Sequence, residues 1–296
     1  MNTMDDYRKL KFKHFFDGTA TEYMRNRILM SDIQFDPSGY DEFGTSLNVT
    51  SKAGAAALFM YMNYFRVDAH GAQNIPAEGV GLIVSNHAPI LPFDAVMIWT
   101  AGLVELEKPR FIRTIIHRAL SGIPGGSILL NRCGQIVGCD ENVMKIFENE
   151  NLIVVFPTGA ESDFHTIFNK YKVDAFPPGF MEYAIEYRAP IIPACVTGSE
   201  ESAMTIGKLD MKVMGFKHLP ITPIFPWLGL LGLLPFPSKF DLHFDTPIHY
   251  YEDCHDVEPD TERVRSLVDG LHDHIQKMLN DRLGLHQAHV FRESNA

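Results

Sequence analysis

His87 and Asp94 share one stretch, SNHAPILPFDAVMIW, running from Ser85 to Trp99. An imidazole beside a carboxylate is a minimal unit for general-base chemistry. The carboxylate fixes one ring nitrogen in its protonated form, and the other nitrogen is left to take a proton. An ordinary reading stands beside this one. Asp94 also suits the first turn of a helix, where an acid complements the helix dipole, and His87 also suits a polar loop.

Three further stretches have chemical potential. LIVVFPTGAES, Leu152 to Ser162, is a buried-strand pattern that ends in Phe-Pro and reaches a glycine at once. Gly159 there allows positive φ or close approach of backbone to a ligand, and an ordinary turn is the alternative. From Lys108 to Cys139 there is no acidic residue, whereas Lys108, Arg110, Arg113, Arg118 and Arg132 are basic. Such a run suits a phosphate-bearing cofactor or an anionic lipid surface, and equally a solvated face paired with acids elsewhere. Finally, LPITPIFPWLGLLGLLPFPSKF, Leu219 to Phe240, is strongly apolar but carries prolines at 220, 223, 226, 235 and 237. It cannot be one helix, and it suits core packing, an acyl pocket or shallow insertion at a bilayer surface.

Positioning these groups requires strands and helices in alternation, and the pattern supplies them. VGLIVS before His87 reads as a buried strand, and PFDAVMIWTAGLVEL after it as a helix with Pro92 at its first position. Strands are predicted over NYFRVDAH, Phe111 to Ile115, Gln135 to Val137, LIVVF, IIPACVTG and FDLHFDTPI. Helices are predicted over AGAAALFMYM, ENVMKIFENE and PPGFMEYAIEYR. A closing helix places Val264, Leu267, Val268, Leu271, Ile275, Met278 and Leu279 on one face. The implied fold is α/β, a mostly parallel sheet flanked by helices. Residues 1–50 read as a polar, irregular N-terminal arm with a short helix near Lys9 to Phe16, residues 51–290 as one domain, and 291–296 as a tail.

Composition narrows the function classes. The chain has 296 residues, 46% of them hydrophobic, which is enough for a substantial core. Its formal net charge of -11 disfavours nucleic acid as a partner. Cys133, Cys139, Cys195 and Cys254 form no Cys-x-x-Cys pair, so they read as free thiols in a reducing compartment. The start, MNTMDDYRKLKFKHFF, lacks the apolar core of a signal peptide, and no apolar run is long enough to span a bilayer. No third ligand stands at metal-site spacing from His87 and Asp94, so no metal is expected.

Taken in order, NHAPILPFD, FPTGAES, APIIPACVTGSEE and TPIFPWLGLLGLLPFPSKFDLHFDTPI resemble four blocks of the glycerolipid acyltransferase superfamily. The closest branch in look is the monoacylglycerol-acyltransferase-like group of bacteria, and the resemblance runs from about Tyr64 to His249. It implies transfer of a fatty acyl group from an acyl thioester, acyl-CoA or acyl carrier protein, to a lipid hydroxyl. His87 would be the general base and Asp94 its partner. Phe156, Pro157, Thr158, Gly159 and Glu161 would contact substrate, with Arg132 in GGSILLNR filling a second-block arginine; aligning GQIVGCDEN there instead leaves no arginine. The thioesters are co-substrates, and no cofactor is expected. The absence of a Gly-x-Ser-x-Gly elbow fits direct attack without an acyl-enzyme. The implied setting is phospholipid and glycerolipid metabolism, in a cytoplasmic protein bound peripherally to the cytoplasmic face of a membrane.

The sequence departs from the family pattern at several points. Four residues commonly separate the His from the Asp; here six separate His87 from Asp94, as in the branch named above. Thr158 stands in place of a glutamate, and Ala160 and Glu161 in place of Thr and Arg. A carboxylate where a guanidinium would sit repels phosphate, which favours an uncharged or zwitterionic acceptor over lysophosphatidate. Two alternatives use the same site: a lipid hydrolase or thioesterase, with water as acceptor, and an inactive lipid- or acyl-carrier-binding protein.

Overall fold

Parallel strands need crossover connections, and here helices supply them on both faces of one sheet. The computed structural model describes all residues except 1–3, 88–91, 117–125, 158–169, 203–205, 210–218, 224–226, 228–233, 255–260 and 294–296. The strands of the main sheet are β1 Asp68–His70, β2 Gly81–Ser85, β3 Ile112–Ile116, β4 Gln135–Val137, β5 Leu152–Val155, β6 Ile191–Thr197 and β9 Asp241–Phe244. Their order is β1-β9-β6-β2-β5-β3-β4. β6, β2, β5, β3 and β4 run parallel, whereas β9 is antiparallel to β6 and β1 follows β9. A separate hairpin pairs β7 Gly207–Leu209 with β8 Leu219–Ile221.

The near-continuous apolar strands follow from burial on both faces. Ile83, Val154, Ile192, Ala194 and Val196 face a core built with α1 Thr19–Leu29, α2 Leu47–Phe59 and α3 Phe93–Val104. Their neighbours Leu82, Val84, Ile153, Ile191 and Cys195 face the other core, which includes α5 Asp140–Glu148, α6 Gly179–Glu186 and α8 Thr261–Glu293. Each fully buried aliphatic side chain contributes about 1.5–3 kcal/mol. On α8 the expected stripe is buried at Val264, Val268, Leu271, Ile275, Met278 and Leu279, with Leu267 partly covered. The short helices α4 Gly126–Arg132 and α7 Ser199–Ser202 precede β4 and follow β6.

The N-terminal 50 residues differ from the irregular reading. α1 buries Ala20, Tyr23, Met24 and Ile28, a helical spacing diluted by polar neighbours. Arg27 on the same face is also buried, and its guanidinium donates to the carbonyls of Leu103, at 2.7 Å, and Leu106. The cation thereby satisfies carbonyls at the carboxyl end of α3. The strand expected over NYFRVDAH is shorter than read, because α2 continues into a π turn, Met60–Tyr64, before β1 begins at Asp68.

Candidate active site

β2 ends at Ser85, and its carboxyl end lies beside those of β5 and β6. In open α/β sheets, this edge is where ligands bind. Asn86, the next residue, is buried, and its side-chain amide spans to β6. Its Nδ2 donates to Val196 O at 3.0 Å, and its Oδ1 accepts from Val196 N at 2.8 Å. The amide thus replaces a rung of the ladder where β2 leaves the sheet, and it holds the backbone that carries His87.

Pro92 is the N-cap of α3, one position earlier than read, and Asp94 lies in the first helical turn. The return of the chain brings Asp94 Oδ2 to 2.8 Å from His87 Nδ1. Asp94 is 1% exposed, and its Oδ1 accepts from Ala95 N at 2.9 Å. An ionised carboxylate only accepts, so Nδ1 carries the imidazole proton and Nε2 presents a lone pair. Among the described residues, Nε2 has no hydrogen-bond partner. Val84 is level with Val155, so Phe156 continues beside this loop, and its ring centroid lies 4.7 Å from that of His87. The imidazole is therefore held by a charge on one side and an aromatic wall on another. The spacing of six residues closes the pair.

Pro157 follows Phe156 at the same strand end and is half-buried. Thr158, Gly159, Ala160 and Glu161 lie outside the described residues. At the end of β6, Gly198 has φ 88°, and a Cβ there would meet Lys239 O at 1.8 Å, so only glycine fits. Gly198 N donates to the Tyr171 hydroxyl at 2.7 Å, and that hydroxyl donates to Glu201. Burial and the Glu201 charge push the Tyr171 phenol far above its ordinary range, so it stays a donor.

Arg132 does not join the His87–Asp94 pair. Gln135 is level with Thr114, Thr114 with Val154, and Val154 with Ile83. Arg132 precedes that row by three residues and His87 follows it by four, so they lie toward opposite ends of the strands. The Arg132 guanidinium donates to Gly44 O at 3.0 Å and lies 4.4 Å over the Tyr40 ring. In the basic run, Arg110 and Arg113 are buried in ion pairs, whereas Lys108 makes an exposed one. Lys108 pairs with Glu78, Arg110 with Asp32 at 3.0 Å, and Arg113 with Asp41 at 2.6 Å. His117 and Arg118 lie outside the described residues. Among the described residues, no three His, Cys, Asp or Glu side chains are grouped to hold a metal ion.

The residue that sequence reasoning passed over is Asn86. Its signal was a side chain with both donor and acceptor directly after a buried strand, where backbone pairing must end. Asn86→Ala is expected to lower turnover by about 10²-fold, the scale of a misplacement near 1 Å. It should also cost about 1–3 kcal/mol in stability. Steady-state rates and urea melts on the same preparation would check this; wild-type turnover would show that His87 is positioned without it.

Comparison with known proteins gives this geometry a family. The family described as Acyltransferase matches residues 66–197, which include both His87 and Asp94. An uncharacterized protein of Mycobacterium tuberculosis is 33% identical over 212 residues, covering 70% of this chain and 59% of that protein. One from Mycobacterium leprae is 31% identical over 244 residues, covering 81% and 66%. A human protein named "DGAT1/2-independent enzyme synthesizing storage lipids" is 26% identical over 218 residues, covering 71% and 62%. The chain thus spans about 59% of the length of the M. tuberculosis relative. Among solved structures, the 1-acyl-sn-glycerophosphate (LPA) acyltransferase of Thermotoga maritima superposes with a TM-score of 0.51 at 15% identity, over 93% of this chain and 95% of that one. That likeness is one of fold, and the domain match places residues 66–197 in the family described as Acyltransferase.

Proposed function

We propose that this protein is an O-acyltransferase that moves a fatty acyl group from an acyl thioester to the hydroxyl of a glycerolipid acceptor. The observation that carries the proposal is the His87–Asp94 pair at 2.8 Å, on the carboxyl edge of the sheet within the matched domain. His87 Nε2 takes the acceptor's hydroxyl proton as the oxygen attacks the thioester carbonyl carbon. The tetrahedral oxyanion collapses, the C–S bond breaks, and the imidazolium returns its proton to the leaving thiolate. Asp94 stabilises the imidazolium between these steps without itself taking the proton.

Transfer proceeds without an acyl-enzyme. Burial pushes the Cys195 thiol up to about 12, so it is not a thiolate nucleophile at neutral pH. The acceptor is a neutral or zwitterionic lipid such as a monoacylglycerol or diacylglycerol. Glu161 and Thr158 support that choice by their chemistry. The buried pairing of Arg110 and Arg113 adds support, since two cations that could hold a phosphate are engaged elsewhere. No helix among the described residues is long and apolar enough to cross a membrane, and the protein meets its lipids peripherally at the cytoplasmic face. Trp227 and Leu234, at 78% and 58% exposure in the proline-broken segment, support such contact.

The test is mass spectrometry of products from purified protein and an acyl thioester, supplied with lysophosphatidate and monoacylglycerol at equal concentration. Acylated monoacylglycerol is expected. Preferred acylation of lysophosphatidate would overturn the acceptor assignment, free fatty acid would mark a hydrolase, and no product at all would favour a binding protein.

A further inference from the structure

The stretch MDDYRKLKFKHFF, residues 4–16, divides its apolar residues between two sides. Tyr7 and Leu10 are buried, at 6% exposure each, whereas Phe12 and Phe16 are 62% and 75% exposed. The inner side is firmly held. The Tyr7 hydroxyl donates to Glu105 Oε1 at 2.6 Å, and Tyr61 donates to the same oxygen at 2.9 Å. The outer rings are therefore not on a fraying end. Phe12 and Phe16 touch each other, with centroids 5.0 Å apart. Phe12 and the half-buried Phe15 pack on Phe59, the last residue of α2, at 5.8 and 5.3 Å. Lys11 and Lys13, both exposed, flank Phe12.

From these observations we propose that the Lys11–Phe16 turn is a docking element for an anionic bilayer surface, with Phe12 and Phe16 inserted among the acyl chains and Lys11 and Lys13 at the headgroups. This deepens the peripheral-membrane part of the proposed function by naming the surface that makes the contact. Two features favour a bilayer over a protein partner. The rings project from a short 3-10 turn, Phe12–Phe15, as knobs rather than lining a groove, and knobs suit a deformable medium. The cations beside them stand in a chain of net charge -11, so a negatively charged surface is attracted here against the overall field.

The location gives the contact a purpose. Phe59 leads into the π turn Met60–Tyr64, about 7 Å of helix. Tyr64 at its end donates to Pro235 O at 2.6 Å, next to the exposed Leu234. The following Phe65 packs on Phe93 at 5.5 Å, and Phe93 adjoins Asp94. One helix terminus therefore connects the exposed rings, the apolar proline-rich segment and the wall of the candidate site. A bilayer held at the rings is held near the place where a lipid acceptor must enter.

The experiment is co-sedimentation of the full chain with two vesicle types, equimolar phosphatidylcholine and phosphatidylglycerol, and phosphatidylcholine alone. Wild type is expected to bind the mixed vesicles more tightly. Phe12→Ser with Phe16→Ser should weaken binding to both by roughly tenfold or more, and Lys11→Glu with Lys13→Glu should weaken binding to the mixed vesicles alone by a similar factor. A single Phe16→Trp variant supplies a reading that tolerates instability of the doubles: its emission should shift to shorter wavelength on adding mixed vesicles, beyond any shift of wild type. Unchanged sedimentation of both double variants, or no added shift in Phe16→Trp, would overturn the proposal. So would lipid-free self-association, or retention of an acyl carrier protein in place of vesicles, that is lost on changing Phe12 and Phe16. These readings follow binding and not turnover, so their failure is separable from failure of the acyltransferase reading.

Discussion

His87→Ala is expected to lower acyl transfer by about 10²–10⁴-fold, the contribution of a positioned general base, with thermal stability close to wild type. The small effect on stability follows from the position of His87 on a loop at the strand end, with 17% of its side chain exposed. Asp94→Asn should also lower turnover strongly, and the structure gives the reason. Oδ1 of Asp94 already accepts Ala95 N–H, so an amide oxygen would stay there and an NH₂ would face His87 Nδ1. The ring would then carry its proton on Nε2, where a lone pair is needed. Rates under saturating acyl thioester, with melting curves alongside, would decide this. Wild-type-like turnover in His87→Ala would remove the general-base role.

Arg113→Met should give the largest loss of stability, about 3–5 kcal/mol, read as a lowered urea midpoint. Arg113 and Asp41 are 3% and 2% exposed at the side chain and pair at 2.6 Å. Arg113 also donates to Asn151 Oδ1 at 2.7 Å and lies 4.5 Å over the Phe43 ring. Removing it strands the Asp41 carboxylate away from water, though bonds from Thr45 N and Thr45 Oγ1 at 2.6 and 2.9 Å moderate the cost. KM for the acyl thioester should not change at temperatures where the variant is folded. A stable variant with raised KM would instead return Arg113 to the donor phosphates. The experiment thus separates the two readings that the basic run allowed from sequence.

The apolar runs LIVV and IIPACVT and the one-faced pattern of α8 were legible from residue order, because side-chain period and local chain stiffness act over a few residues. The same holds for the His–Asp candidate: it needed only a strand exit and a helix start close together in the chain. α1 was hidden because one of its five buried residues is Arg27, whose burial makes sense only beside the Leu103 and Leu106 carbonyls it satisfies.

What the sequence by itself determined is the α/β class, the strand that delivers His87 and the helix that carries Asp94. Which charges engage one another is a question of long-range neighbours, and only the tertiary structure decided it. Asp32, Asp41 and Glu78 each stand at least 30 residues from the cations they engage, and no periodicity encodes such pairing. Tertiary structure likewise made Asn86 a tie to Val196, 110 positions away. It also left Phe12 and Phe16 outside while Tyr7 and Leu10 were drawn in, because Glu105 and the core behind it offered partners to one side only.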